Sequence, residues 1–144
     1  MDNKVADAFT ALTGGTLKLL LPPGGHFNFN RNYGYAIIMW NVDSLDWMEA
    51  DEYRSGKITL EEAAQTIAER TLSKIKPGSI VLMHDIQRSS VEAFKIIYKE
   101  LKAQGYKLVT VSELLGIDPT EHQGQYFYSS YNYGYQGKTY LARS

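Results

Sequence analysis

The stretch IIMWNVDSLDW, residues 37–47, begins as an apolar run and ends in two aspartates and a tryptophan. The longer run YAIIMWNV is too continuous for a strand with one face in solvent, so it predicts a strand covered on both faces. Asp43, Asp46 and Trp47 follow at the carboxyl end of this strand. In domains built on parallel strands, side chains in the loops at this end converge on a cleft. The strand is therefore predicted to be the rigid support of a cleft.

Strands and helices alternate on either side of this stretch. The apolar runs TLKLLL, SIVLM and YKLVTV predict three further strands. An amphipathic helix is predicted before SIVLM and another after it. Because helices of this length connect neighbouring parallel strands, the order predicts an α/β fold with a mostly parallel sheet of about four strands.

Both predicted helices carry signals for their first residues. Thr59 and Glu62 fit a capping box at the start of the first helix, and Ser89 and Glu92 fit one at the start of the second. Helical periodicity also predicts which face of the second helix is buried. That face is predicted to contain Val91, Phe94, Tyr98 and Leu101.

The composition excludes several classes of protein. The 144 residues are 44% hydrophobic and 22% charged, with a formal net charge of -1, which is ordinary for a globular domain. No apolar run approaches the roughly 20 residues of a membrane span, and the scattered lysines and arginines argue against nucleic acid as a partner. The absence of cysteine excludes disulfides and thiol nucleophiles.

The predicted strand ends carry the residues that are suited to chemistry. The motif PPGG at 22–25 follows the first strand, and His84 with Asp85 follows the third. A carboxylate beside an imidazole fixes its tautomer, and the ordinary pKa of histidine, about 6.5, suits proton transfer. Each residue also has a structural interpretation, with His84 as a loop residue, the two aspartates as turn caps and Trp47 as part of the core.

The composition changes after residue 116 to PTEHQGQYFYSSYNYGYQGKTY, a segment rich in tyrosine, glycine and serine. One interpretation is a C-terminal extension whose amphipathic rings lie on the domain surface. The alternatives are a platform for stacking sugars or for an interface, and plain disorder, which so many aromatic residues disfavour.

The motifs LLLPPGG, WNVDSLDW and IVLMHD, followed by LKAQGYKLVTVSELLG, together resemble the C-terminal half of the polysaccharide deacetylase family. This family is also known as the NodB-homology domain or carbohydrate esterase family 4. The resemblance covers residues 1–117, which it implies to be a partial, distorted (β/α) barrel, and leaves 118–144 as a Tyr-rich extension packed on the domain or at an interface. Members remove acetyl groups from N-acetylated sugars in peptidoglycan or chitin-like polymers, using a divalent metal that is usually zinc.

The resemblance implies a role for several residues. Asp46 matches the acid that orients the catalytic histidine, and His84 matches the general acid that protonates the leaving amine. Trp47 and Leu82 match the wall of the pocket for the acetyl methyl group. The remaining residues expected to contact substrate are Pro22, Pro23, Gly24, Gly25 and Asp43.

Two motifs of the family are missing from the sequence. It contains neither the Thr-Phe-Asp-Asp run, which supplies the base and a metal ligand, nor the His-x-x-x-His pair, which completes the metal site. His26, His84 and His122 lack the spacing of a replacement zinc site. Zinc or another divalent metal is expected for the complete family site, but none in this chain. Without a metal to activate water, the chain alone is expected to be inactive or nearly so.

A second hypothesis is a non-catalytic module that keeps the groove to bind glycan or to pair with a partner. The open strand edges of a partial barrel predict a homodimer or association with the missing N-terminal half. The expected ligand is an N-acetylated polysaccharide. An extracellular or cell-envelope location is implied by the family alone, because the N-terminal segment MDNKVADAFTALTGG does not resemble a signal peptide.

Overall fold

A computed structural model describes residues 19–22, 26, 28, 34–135 and 138–141 of the chain. Its helices and parallel strand pairs confirm the α/β class. The elements in chain order are β1 (Leu19–Leu20), β2 (Ala36–Ile38), β3 (Val42–Asp43), α1 (Asp46–Arg54), α2 (Leu60–Leu72), β4 (Val81–Leu82), α3 (Arg88–Ala103), α4 (Val111–Leu115), a 3-10 turn (Pro119–Glu121), β5 (Tyr126–Phe127), β6 (Asn132–Tyr135) and β7 (Lys138–Leu141).

These elements form two compact units. One contains residues 40–110, and the other contains the described residues up to 39 and from 111 onward. Instead of one sheet of about four strands, the described residues form a five-stranded sheet in the order β1-β2-β5-β6-β7 and a separate pair, β3-β4. None of the helices in the described part of the chain combines the length and the hydropathy that crossing a membrane requires.

The five-stranded sheet combines both kinds of pairing. β1 and β5 lie parallel to β2 on its two sides, with Ile37 opposite Tyr126 and Ile38 opposite Phe127. β6 is antiparallel to β5, and β7 is antiparallel to β6. The Tyr-rich C-terminal segment therefore supplies three of the five strands, and Tyr126 and Phe127 are buried in the unit that contains this sheet.

The run YAIIMWNV forms two strands rather than one. Residues 36–38 are β2, whereas Val42 begins β3 in the other sheet. At the break, the side-chain Oδ1 of Asn41 accepts a hydrogen bond of 2.8 Å from the backbone N–H of Ile80. The prediction of a single continuous strand was wrong, because apolar continuity alone does not show that the two ends of a run pair with different strands.

The strand predicted over YKLVTV is also absent. Residues 106–110 are irregular, and Val111 already belongs to α4. Leu108 and Val109 are exposed. The prediction of a strand over this run was therefore wrong, since an apolar sequence forms a strand only where neighbouring segments pair with it and cover it.

Helices α2 and α3 pack against each other and form the core of the unit that contains residues 40–110. Alanines in both helices let their backbones approach, and branched side chains fill the remaining space. Full burial of one such branched side chain contributes about 1.5–3 kcal/mol. The two buried clusters contain Ala64, Ile67 and Ala93 in one and Ala68, Ile97 and Leu101 in the other.

The predicted capping box of α2 is confirmed. The Oγ1 of Thr59 accepts a hydrogen bond of 3.1 Å from the N–H of Glu62, and the N–H of Thr59 donates to Oε2 of Glu62 at 2.8 Å. Two donors of the first helical turn are thereby satisfied, and an N-terminal cap of this kind typically contributes about 1 kcal/mol.

Both predictions for α3 need correction. The helix begins at Arg88 after the N-cap Gln87, so Ser89 lies inside the first turn and forms no capping box. The predicted inner face is mostly exposed at Val91, Phe94 and Tyr98, whereas the buried face contains Ser89, Ser90, Ala93, Ile97 and Leu101. Helix α3 carries two apolar stripes, and packing of its small residues against α2 decides which one is buried.

Candidate catalytic site

The turn between β3 and α1 places Asp46 at the first position of the helix. Leu45, directly before it, adopts the left-handed conformation with φ of 53°. The Oδ1 of Asp43 accepts a hydrogen bond of 3.0 Å from the N–H of Leu45, which closes this tight turn. An acidic residue in the first turn of a helix is also favoured by the positive end of the helix dipole.

The parallel pairing of β3 with β4 brings Asp46 and His84 together. Asp43 lies opposite Leu82 in the pair, and the N–H of Ser44 donates to the carbonyl oxygen of Leu82 at 3.2 Å. The segments that follow β3 and β4 leave the strand pair on the same side, because the carboxyl ends of parallel strands share one edge. Asp46 and His84 are the residues that follow at this edge.

The fully buried carboxylate of Asp46 accepts three hydrogen bonds. Its Oδ1 lies 2.7 Å from Nδ1 of the His84 ring. Its Oδ2 accepts from the backbone N–H of His84 at 2.7 Å and from the hydroxyl of Ser90 at 2.5 Å. The same side chain therefore fixes both the backbone and the ring of His84.

Hydrogen bonding also keeps Asp46 ionised. Burial raises the pKa of Asp46, but the hydrogen bonds from Ser90 and from the backbone and ring of His84 outweigh this effect, and the pKa lies below its ordinary value of 3.8. An ionised Asp46 accepts a proton-bearing Nδ1, so the other ring nitrogen, Nε2, is the one left for a substrate. The His84 side chain is 45% exposed, which leaves room for that contact.

Arg70 on α2 supports the turn before Asp46, and no sequence motif had indicated it. Its Nε donates to the carbonyl oxygen of Ser44 at 2.9 Å, and one of its terminal nitrogens reaches the carbonyl oxygen of Leu45 at 3.4 Å. The two terminal nitrogens also bind both carboxylate oxygens of Glu49 on α1, one at 2.9 Å. The hydrogen bond to Glu49 raises the pKa of Arg70, although burial opposes this effect.

Ser90 also contributes to the site, and the sequence pattern did not indicate it. The serine pair at 89–90 was interpreted as a helix start, since serine is a common N-cap. In the structure both serines are buried, and only Ser90 reaches the carboxylate of Asp46. A small polar residue facing inward from an apolar helix is the only signal that could have indicated this contact.

The other predicted site residues lie in different surroundings. Trp47 follows Asp46 on α1 with its side chain about half exposed, and Leu82 is partly buried in β4. Asp43 caps the turn as described, and its contact with substrate stays a prediction. Pro22 is buried after β1. Pro23, Gly24 and Gly25 lie outside the described residues.

The described residues do not form a metal site. Across them, no group of three or more histidine, aspartate or glutamate side chains is arranged to hold an ion. His84 is bound to Asp46, the Nδ1 of His122 lies 2.7 Å from the side-chain oxygen of Gln125, and His26 is exposed. The divalent metal of the complete family site therefore does not fit this set of described residues.

Comparison with known proteins identifies relatives of this chain. No family model matches it. The peptidoglycan-N-acetylmuramic acid deacetylase PdaC of Bacillus subtilis is 32% identical over 114 residues, which are 78% of this chain and 22% of PdaC. The peptidoglycan-N-acetylglucosamine deacetylase PgdA of Listeria monocytogenes is 35% identical over 97 residues, 66% of this chain and 18% of PgdA.

Solved structures show the same relationship. The structure of PdaC superposes with a TM-score of 0.63 over 78% of this chain and 50% of that one. A CE4 family pseudoenzyme from Bacillus anthracis is 27% identical, with a TM-score of 0.60 over 88% of this chain and 41% of its own. The chain thus spans about half, or less, of each of these relatives. On this likeness in sequence and structure, the chain belongs to the polysaccharide deacetylase family, carbohydrate esterase family 4.

Proposed function

We propose that this chain supplies the proton-donating half of a metal-dependent polysaccharide N-deacetylase site. The substrate would be an N-acetylated sugar polymer such as peptidoglycan or a chitin-like glycan. The observation that carries the proposal is the 2.7 Å contact between Oδ1 of Asp46 and Nδ1 of His84. The neighbouring backbone hydrogen bond from His84 to Oδ2 of Asp46 reinforces it.

This geometry is suited to protonating a leaving amine. Hydrolysis of an acetamide adds water to the carbonyl carbon and breaks the bond between that carbon and nitrogen. The nitrogen must gain a proton, because an amide anion is too poor a leaving group. His84 in its imidazolium form can donate that proton from Nε2, and the carboxylate of Asp46 stabilises the imidazolium by pairing with Nδ1. Acetate and the free amine are the products.

The relatives support this function over the alternative. PdaC and PgdA are both named as peptidoglycan deacetylases, and nothing in the comparisons favours a non-catalytic glycan-binding module. The Bacillus anthracis relative is named as a pseudoenzyme. Because this fold occurs with and without activity, the fold alone does not decide whether a chain is catalytic, and the residues of the site must decide it.

We further propose that the chain alone is inactive or nearly so. The Thr-Phe-Asp-Asp run and the His-x-x-x-His pair expected to supply the base and the metal do not occur in its 144 residues. Those groups would come from another polypeptide that carries them, and together the parts would complete a (β/α) barrel. A second copy of this chain could pair with the open strand edges in a dimer, but it would lack the same groups. An extracellular or cell-envelope location fits a peptidoglycan substrate.

The inactivity is tested by measuring acetate release from N-acetylglucosamine oligomers by the purified chain, with and without added zinc. We expect no acetate above the level of a blank without protein. Zinc-dependent acetate release that disappears in His84→Ala would show instead that the chain forms a complete site by itself.

The proton-donating role is tested in a chimera in which this chain replaces the matching segment of PdaC. The chimera is expected to release acetate. His84→Ala should reduce kcat by about 100-fold to 10,000-fold, the usual contribution of a general acid. His122→Ala is the matched control, because its ring bonds to Gln125 rather than to Asp46. A folded chimera whose activity survives His84→Ala would contradict the role.

A further inference from the structure

The hydroxyl of Ser90 is placed to control the orientation of the Asp46 carboxylate. Ser90 lies in the first turn of α3 with almost no solvent exposure, and its Oγ is 2.5 Å from Oδ2 of Asp46. Neither side chain can reach bulk water, so each depends on the other for this hydrogen bond. A hydrogen bond to a charged group in a buried setting is among the stronger contacts in a protein.

We propose that Ser90 is a positioning residue whose hydroxyl fixes the Asp46 carboxylate in the orientation that holds Nδ1 of His84. This inference rests on the proposed function of His84 as proton donor. The side-chain hydrogen bond of Ser90 is made to the carboxylate of Asp46. Its effect passes through Asp46.

The distribution of donors on the two oxygens supports this assignment. Oδ2 receives two donors, the hydroxyl of Ser90 and the backbone N–H of His84. Oδ1 is thereby left for the ring nitrogen of His84. If the Ser90 donor is removed, Oδ2 keeps one donor, and rotation of the carboxylate about its Cβ–Cγ bond is less restricted. The hydrogen bond between Oδ1 of Asp46 and Nδ1 of the His84 ring is then formed for a smaller fraction of the time.

The charged surroundings of Asp46 determine what a test can measure. The titratable and charged groups that face it are His84, which follows β4, and Arg70 on α2, which interacts with it through space and also binds Glu49. The first turn of α3 contributes the hydroxyl of Ser90 and the positive end of the helix dipole. Changing Ser90 alters none of the formal charges, so a change in the titration of Asp46 would report the loss of a hydrogen bond.

Ser89 provides a matched control in the same turn. It is as deeply buried as Ser90, and its Oγ has no hydrogen-bond partner among the described residues. Ser89→Ala therefore removes the same group from the same helix without touching the site. The test variants are Ser90→Ala and Ser90→Cys, since a thiol is similar in size to a hydroxyl but a weak donor.

The experiment follows the carboxyl carbon of Asp46 by NMR through a pH titration of the purified chain. We expect the titration midpoint to move to higher pH in Ser90→Ala and Ser90→Cys and to stay at its original position in Ser89→Ala. In the same samples, nitrogen shifts of the His84 ring should show a mixture of tautomers in the Ser90 variants only. If Ser90→Ala does not fold, Ser90→Cys decides the outcome.

The inference is overturned if the Asp46 midpoint is unchanged in the Ser90 variants, or if Ser89→Ala raises it equally. Neither result depends on catalysis, so the proposed function would be unaffected. In an active PdaC chimera, Ser90→Ala should lower kcat about tenfold with little change in KM, which corresponds to losing one charged hydrogen bond. A chimera that is inactive before any substitution would contradict the proposed function while leaving the NMR result valid.

Discussion

Arg70 on α2 donates a hydrogen bond of 2.9 Å from Nε to the carbonyl oxygen of Ser44, two residues before Asp46 in the chain. The same guanidinium pairs with Glu49 on the helix that Asp46 begins. Arg70 therefore holds the turn and the helix together on both sides of Asp46. The planar guanidinium of arginine is suited to this arrangement, because it can donate hydrogen bonds to a carbonyl oxygen and to a carboxylate at the same time.

Arg70→Met is expected to destabilise the chain by about 3 kcal/mol, because it leaves the carboxylate of Glu49 buried without its partner. The side chains of Arg70 and Glu49 are only 23% and 9% exposed, so solvent cannot replace the pair. Urea unfolding followed by circular dichroism measures the change. Arg54→Met is the control, since its pair with Asp51 is largely exposed and should contribute less than about 1 kcal/mol. Equal losses of unfolding free energy in both variants would contradict the conclusion that Arg70 holds the turn and helix α1 together.

The strand pattern predicted that residues after neighbouring strands converge, and the resemblance to the family predicted that Asp46 pairs with His84. The two side chains do lie in contact, and their catalytic roles stay predictions. Asp46 and His84 each follow a strand, and parallel strands bring such positions to one edge. Arg70 and Ser90 could not be found in this way. Each lies within a helix, where arginine and serine are common for other reasons, and their partners are 26 and 44 residues away in the sequence.

The errors in the fold have a common physical origin. Apolar runs were interpreted as strands, but whether a run pairs and becomes buried depends on the segments that cover it. Leu108 and Val109 are exposed, and the run YAIIMWNV is interrupted at residues 39–41. In α3, the packing against α2 selects small residues such as Ala93 over the larger Phe94. Tertiary contacts determine which of these residues are buried, and the local periodicity of the sequence carries no information about those contacts.

Gly134→Ala tests the packing of the C-terminal strands. Gly134 lies opposite Tyr126 in the antiparallel pair of β5 and β6, and a Cβ added to Gly134 would overlap the Tyr126 ring. We expect a loss of about 1–3 kcal/mol from overpacking, measured by thermal unfolding. In a Tyr126→Ala background the space is free, so the same substitution should cost much less. A full loss in both backgrounds would show that steric overlap with the ring is not the cause.

Trp47→Ala separates a role in substrate binding from a role in stability. The Trp47 side chain is 52% exposed, so its removal is expected to cost only about 1–2 kcal/mol, well below the cost for a fully buried tryptophan. If the ring forms a wall for the acetyl methyl group, kcat/KM of the PdaC chimera should fall about tenfold or more. This is the effect on kcat/KM that one methyl group in a well-packed pocket typically has. Unfolding and acetate release are measured on the same preparation.

Met48→Ala is the matched control for Trp47, because this neighbouring side chain on α1 is 43% exposed. It should lose a similar amount of stability and keep its activity. If both substitutions reduce kcat/KM to the same degree, the effect of Trp47 is a general disturbance of the helix and the pocket assignment fails.

Asp46→Asn should change how stability depends on pH. Because the pKa of Asp46 in the folded chain lies below its ordinary value of 3.8, the unfolded chain takes up the proton first as the pH falls. The stabilisation from Asp46 is therefore fully present above about pH 4–5 and is lost as the pH decreases through the folded pKa. The asparagine variant, which cannot ionise, should be less stable by about 2 kcal/mol or more at pH 7 and lose less on acidification.

The measurement is the free energy of unfolding in urea at several pH values from about 7 down to about 3, where carboxylates titrate. Asp51→Asn on the same helix is the control, because its side chain is 60% exposed and it pairs with Arg54, which is also exposed. We expect the curves of the wild type and the Asp46→Asn variant to converge toward low pH, whereas the Asp51→Asn curve stays close to the wild type throughout. Parallel curves for wild type and Asp46→Asn would mean that the carboxylate of Asp46 is not stabilised by folding, and the hydrogen bonds from Ser90 and His84 would then have to be weaker than their distances indicate.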